Sequence, residues 1–173
     1  MLKALQYSLI FIGRWDMIME DKIEQLTDPQ EIRNRVREIY KHNPFMEKYF
    51  HIHIDEIHCG SATVSLKTDP AIHTNHTGRI HGGVLAALAD AVTGVTCAAV
   101  GASVVTVALT MNFIHTAAPG ETIRVVSHIA HNGHTTIIIE ADMIDCKGNL
   151  MAKILATMMI LHRFPEIPRH WEG

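Results

Sequence analysis

Asp90 is the residue most able to do chemistry. Between Val84 and Val100 it is the only charged side chain, and its helical neighbours at three and four positions are Ala86, Ala87, Thr93 and Gly94. No Lys or Arg on the same helix can neutralise it. A carboxylate in such surroundings is costly unless it is hydrogen-bonded, paired from elsewhere or put to use. Two readings stand side by side: a catalytic base or nucleophile, or an inert polar residue at a subunit interface. His81-Gly82-Gly83 opens the same helix. Two glycines there leave backbone N–H groups uncovered at the positive end of the helix dipole, a place to hold a carbonyl oxygen gaining negative charge. The alternative is a tight entry turn and nothing more. Asn75 lies six residues before His81 in the loop feeding the helix. It can orient a water or a carbonyl, or it is turn chemistry.

Other chemistries find less support. Thirteen histidines include His51-x-His53 on one strand face and His128, His131 and His134 near a hairpin, but no carboxylate or cysteine completes a ligand pattern by local spacing. No metal and no cofactor is expected. Cys59, Cys97 and Cys146 are odd in number and have no Cys-x-x-Cys spacing, which points to a reducing, cytoplasmic setting, with Cys97 in the core. Lys plus Arg is 15 against 18 Asp plus Glu, a formal charge of −3, so there is no electrostatic footprint for nucleic acid. The apolar run in Met1 to Gly13 is followed by Arg14-Trp15-Asp16 rather than a cleavage site, and a bilayer span takes about 20 apolar residues. No membrane partner is expected, and Met17 or Met19 is an alternative start.

The elements that must position these residues follow from periodicity. Asp28-Pro29-Gln30-Glu31 starts a helix, with Ile32, Val36, Ile39 and Tyr40 on one face and His42-Asn43-Pro44 as its stop. Residues 51–58 and 60–68 read as strands. In the second, Ala62, Val64 and Leu66 alternate with polar residues. The apolar helix runs from about Gly82 to Val100. Strands follow at 104–115, 122–131, 135–144 and 151–162, with Asn132-Gly133 as a tight hairpin turn. A helix apolar nearly all round must be wrapped, and a curved antiparallel sheet is the element available to wrap it, giving an α+β fold. Hydrophobic residues at 47% of 173 supply one core. The expected division is an N-terminal extension at 1–27, a domain at 28–163 and a tail at 164–173 that carries two prolines and lies on the surface.

The combination Asn75-x5-His81-Gly82-Gly83-x6-Asp90 resembles the hotdog-fold acyl-CoA thioesterases, in their PaaI-like or acyl-CoA thioesterase 13-like branch. The resemblance runs from about Asn43 to Leu161 and includes Val105-Thr106-Val107-Ala108-Leu109-Thr110-Met111-Asn112-Phe113 and Pro119-Gly120-Glu121. It implies a long central helix inside a curved antiparallel sheet, and a dimer whose sheets join, usually paired again into a homotetramer. It also implies hydrolysis of an acyl- or aryl-acyl-CoA thioester. Asp90 falls at the family's catalytic carboxylate, where a related branch uses Glu. Gly82 falls at the N–H donor to the thioester carbonyl, Asn75 and His81 in the same wall, and Thr106 where some members assist the water. Gly83, Leu85, Val92 and Met111 are the expected substrate-binding positions, with Leu88 beside them. Members often carry Lys or Arg after the glycine of the turn, where this chain has His134. The competing readings are a non-catalytic acyl-CoA sensor and a hotdog dehydratase or hydratase.

Spacing adds one expectation of its own. Gly82 and Asp90 are eight residues apart, an axial separation of about 12 Å. One carbonyl carbon cannot sit about 3 Å from both. If both act on one thioester, they come from different chains, with Asn75, His81 and Gly82 facing Asp90 and Thr106 of the partner subunit.

Overall fold

A computed structural model describes residues 23–172. Its elements are α1 (Pro29–Tyr40), a short π-helical segment (Phe45–Phe50), β1 (His53–His58), β2 (Ser61–Lys67), α2 (Gly82–Ala98), β3 (Ala102–Phe113), β4 (Thr122–Asn132), β5 (Thr136–Ile144) and β6 (Leu150–Arg163). The strands form one six-stranded sheet in the order β1-β2-β4-β5-β6-β3, antiparallel throughout. The fold is α+β, a helix held against a curved antiparallel sheet, as the apolar helix required. The expected extension falls mostly outside the described residues, as do the apolar run and the alternative starts. No helix among the described residues is long and apolar enough to cross a membrane.

The face of α2 that meets the sheet is built from Leu85, Leu88, Ala89, Val92 and Val95, all buried, against Val64 and Leu66 of β2, Ile123 and Val125 of β4 and Met143 of β5. Each buried aliphatic side chain contributes about 1.5–3 kcal/mol. The helix is also fixed by polar contact. The hydroxyls of Thr96 and Ser127 meet at 2.5 Å, within reach of Val92 O and Ala62 O, so α2 is tied to β4 and β2 with its buried hydroxyls satisfied.

At the start of α1 the Asp28 side chain accepts from Gln30 N at 3.0 Å, with Pro29 at the first helical position. Ile32 and Val36 are fully buried, as the 3.6-residue spacing requires. The sequence reading ends this helix near Pro44 and places nothing at Phe45–Phe50. There Asn43 Oδ1 accepts from Phe45 N at 3.0 Å and Met46 N at 3.4 Å, starting a six-residue turn in which only Met46 is buried. One buried residue in six carries no readable period.

The tail is a correction. Ile167 and Trp171 are buried, and the Trp171 indole N–H donates to Ala99 O at 2.7 Å, satisfying a carbonyl at the C-terminal end of α2. The Arg33 guanidinium lies over the same indole, 5.5 Å from the ring centre. Gly101, at φ +72°, makes the turn after α2, and a Cβ there would collide with the Ile167 carbonyl oxygen. Residues 164–172 strap the end of α2 instead of lying loose on the surface.

Candidate active site

Asp90 lies on the face of α2 opposite its buried stripe, and within the single chain it is exposed. That resolves the isolation seen in the sequence: the chain does not enclose this carboxylate. Thr106 Oγ1, on β3, donates to Asp90 Oδ1 at 2.6 Å. The pairing of β3 with β6 slips a register between Thr106 and Ala108, leaving Val107 as a bulged residue 60% exposed. A bulge re-aims its neighbours, and here it lies beside the hydroxyl that meets Asp90. Among the described residues no basic group forms an ion pair with Asp90.

Asp90 and Thr106 line a groove of about 410 Å³. Its other walls come from Ala91 and Gly94 of α2, Val104 and Val105 of β3, Met158 of β6, and Tyr40, Asn43, Phe45 and Met46. The composition is apolar apart from Asp90, Thr106, Asn43 and the Tyr40 phenol. Burial pushes the phenol pKa well above its ordinary value, and the charges of Cys97 and Asp90 push it further the same way. Tyr40 is therefore a protonated donor across the neutral range. Tyr40, Asn43, Phe45 and Met46 are among the lining residues that sequence reasoning missed. Tyr40 shared a helical face with core residues, which says which side it is on but not what stands opposite.

At the other end of α2, His81 is the N-cap, and its Nδ1 accepts from Gly83 N at 2.8 Å. This fixes Nδ1 as the unprotonated nitrogen. It also divides the roles of the two glycines. Gly83 N–H is engaged, whereas Gly82 N–H has no acceptor among the described residues and belongs to an exposed residue. An uncovered N–H at a helix start is a donor for an oxygen carrying negative charge. The ring of Phe113, at the end of β3, packs beside Gly82.

Asn75 forms a local turn. Its Oδ1 accepts from Thr77 N at 2.9 Å, Thr77 Oγ1 at 2.7 Å and Arg79 N at 3.2 Å. The side-chain carbonyl is fully occupied, so what Asn75 can offer a ligand is its NH₂. His73 holds the same loop: its Nδ1 accepts from Asp69 N at 2.8 Å, and its backbone carbonyl accepts from His81 N at 2.9 Å.

The structure thus gathers the expected site residues into two groups. Asp90 and Thr106 form one, half-way along α2. Asn75, His81, Gly82 and Gly83 form the other, at the helix start and about 12 Å away along the axis. Leu85 is 3% exposed and Val92 and Leu88 are 0% exposed, so all three sit in the core beneath α2 and outside the groove lining. Met111 is half-buried and packs on that core. Among the described residues no three His, Cys, Asp or Glu side chains converge as a metal would need.

Residues 77–152 match the Thioesterase superfamily. That stretch runs from just before the His-Gly-Gly helix start into β6. No curated protein matches the chain. Among solved structures, the chain is similar to the Escherichia coli PaaI protein from the phenylacetic acid degradation operon, with 19% identity over 78% of this chain and 96% of that one, at a TM-score of 0.73. A hypothetical thioesterase protein from Streptococcus pneumoniae, solved with coenzyme A, shows 21% identity over 73% of this chain and 98% of that one, at a TM-score of 0.68. Thioesterase superfamily member 2 from Mus musculus shows 23% identity over 75% and 95%, at 0.63. The fold is the hotdog fold, and the resemblance drawn from Asn75, His81-Gly82-Gly83 and Asp90 led to the same group of proteins.

Proposed function

We propose that this protein hydrolyses acyl-CoA thioesters in a site completed by a second copy of the chain. The observation that carries the reading is the Asp90 carboxylate, held by Thr106 in an apolar groove and facing no basic partner. The Streptococcus pneumoniae structure contains coenzyme A and a Streptococcus mutans protein of the same fold is bound to acetyl CoA, which supports a CoA ester as the ligand class.

The chemistry runs as follows. The thioester carbonyl accepts from Gly82 N–H, at the positive end of α2. Asp90, oriented by the Thr106 hydroxyl, either attacks the carbonyl carbon itself or takes a proton from a water that attacks it. In either route the C–S bond breaks and CoA leaves as thiolate. Direct attack leaves an acyl anhydride on Asp90 that water then hydrolyses to the free carboxylic acid and the regenerated carboxylate, whereas attack by water gives the acid at once. A thiolate leaves readily, so the site needs no strong general acid. Asn75 NH₂ and the His81 ring border the carbonyl from the helix start.

Because Gly82 and Asp90 of one chain are too far apart to share a carbonyl, the two ends come from different subunits. The surface for this pairing is β3, one of the sheet's two edge strands. Val105, Val107 and Phe113 on it are exposed apolar side chains, and its outer backbone edge, unpaired among the described residues, can continue the sheet into a second copy. A homodimer, and its pairing into a homotetramer, would also enclose the Asp90 carboxylate. The three free thiols, Cys59, Cys97 and Cys146, suit a reducing cytoplasmic setting.

The test is release of free thiol from a panel of aliphatic and aryl acyl-CoAs, with Asp90→Asn as control. Turnover by the wild type and its loss in the variant support the reading. Tight binding of acyl-CoA with no thiol release by the wild type would overturn it in favour of a sensor.

A further inference from the structure

The groove that holds Asp90 shares two of its lining residues with a neighbouring cavity. That second cavity, of about 200 Å³, is lined by Arg37, Lys41, Glu47, Ile52 and Ile54 together with Tyr40 and Met46. Tyr40 and Met46 are the two residues common to both linings. Each is fixed in place. Tyr40 is the last residue of α1, and its hydroxyl packs on α2 at Gly94, where an added Cβ would stand 2.7 Å from the phenol oxygen. Gly94 is one helical turn beyond Asp90, so the ring crosses the groove a turn away from the carboxylate. Met46 is 3% exposed and is the one buried residue of the Phe45–Phe50 turn.

We propose that Tyr40 and Met46 form the end wall of the acyl pocket, and that the Tyr40 ring, seated against Gly94, sets the longest acyl chain the protein accepts. The proposal rests on the thioesterase reading and deepens it. The groove shared by Asp90 and the wall is also lined by Phe45, Val104, Val105 and Met158, apolar side chains suited to receive a hydrocarbon tail. A tail that reaches the phenol meets a side chain with no room to retreat toward α2. Without the ring the groove runs into the second cavity, so about 410 Å³ is extended by about 200 Å³. The wall acts by shape. The phenol oxygen is needed for the fit against Gly94 only through the ring that carries it, so Tyr40→Phe keeps the wall and Tyr40→Ala removes it.

The experiment has two readouts on the full chain. The first is kcat/KM for straight-chain acyl-CoAs from acetyl to stearoyl, for the wild type, Tyr40→Ala, Tyr40→Phe, Met46→Ala and Gly94→Ala. The second is calorimetric binding of the matching S-alkyl-CoA thioethers, which cannot be hydrolysed. Single methylene differences in an apolar pocket are worth about tenfold or more. In Tyr40→Ala the ratio of long-chain to short-chain kcat/KM is expected to rise about tenfold or more, with the same shift in thioether affinity. Met46→Ala shifts the ratio in the same direction by less. Tyr40→Phe leaves the length profile where it was. Gly94→Ala moves the profile because its new methyl displaces the phenol. Identical profiles for the wild type and folded Tyr40→Ala, by both readouts, overturn the wall. If Tyr40→Ala does not fold, Met46→Ala and Gly94→Ala decide, and unchanged profiles in both overturn it. Absence of thiol release from every ester, with thioether affinity still shifting with chain length in the variants, overturns the hydrolase reading and leaves the wall standing. Absence of any thioether binding overturns both.

Discussion

The Asp90 carboxylate accepts one hydroxyl hydrogen bond from β3 and faces an apolar groove, and its second oxygen has no hydrogen-bond donor among the described residues. Asp90→Asn keeps the shape and removes the charge. With the fold intact by circular dichroism, kcat is expected to fall by about a hundredfold or more while substrate binding changes much less. A variant that turns over almost as fast as the wild type would remove Asp90 from the mechanism. Thr106→Val keeps the β-branched shape and loses the donor. A hydrogen bond to a charged group is worth about 1.5–3 kcal/mol, so kcat is expected to fall by about tenfold to a hundredfold. Unchanged steady-state turnover would make the contact incidental. Asp90 was legible in the sequence because it is alone in its helix. Its exposure was not, because a helix apolar nearly all round does not declare which face the sheet will take. The fate of Leu85 and Val92 has the same cause. They lie on the helix that carries Asp90, but on the side that packs.

At the scale of elements, the loop between β2 and α2 hangs on His73. Burial lowers its pKa below the ordinary value near 6.5; Asp69 opposes that shift and His51 adds to it. The geometry agrees, because Nδ1 accepts from Asp69 N–H and a protonated Nδ1 cannot. The unfolded chain therefore binds the proton more readily than the folded one. The stability held by His73 is complete above about pH 6.5 and is lost as pH falls below it toward the folded-state value. Melting temperatures measured across this window are expected to fall on acidification, and His73→Gln is expected to flatten that part of the curve. An equally steep fall in the variant would assign the effect elsewhere. Strand positions were legible to within a residue or two from alternation and turn chemistry, and so was the start of α2. The Phe45–Phe50 turn and the strap at 164–172 were not. Each anchors through one or two side chains, Met46 in one and Ile167 with Trp171 in the other, and two anchors make no pattern.

For the molecule as a whole, the deciding feature is the edge strand β3. Its in-chain neighbour is β6 on one side, and no strand among the described residues pairs with its other side. Val107→Lys places a charge at the bulge on that side, a change that discourages strands from pairing edge to edge. Sedimentation is expected to show monomers, and thiol release is expected to fall with the dimer fraction. A monomeric variant with full activity would refute the two-chain site. The hotdog architecture was legible because one long apolar helix demands a sheet around it. The expected joining of sheets between subunits rests on the resemblance, since the residues of β3 look equally suited to a buried central strand.

The same strand has a consequence during synthesis. β3 emerges from the ribosome before β4, β5 and β6, yet the neighbour it needs is the last of these. Until β6 arrives, a twelve-residue run rich in valine has both sides unpaired. At about 5–20 residues per second that interval lasts seconds, long enough for nascent chains on one polysome to find each other. The strand proposed to join two finished subunits is thus also where the unfinished chain is most prone to aggregate.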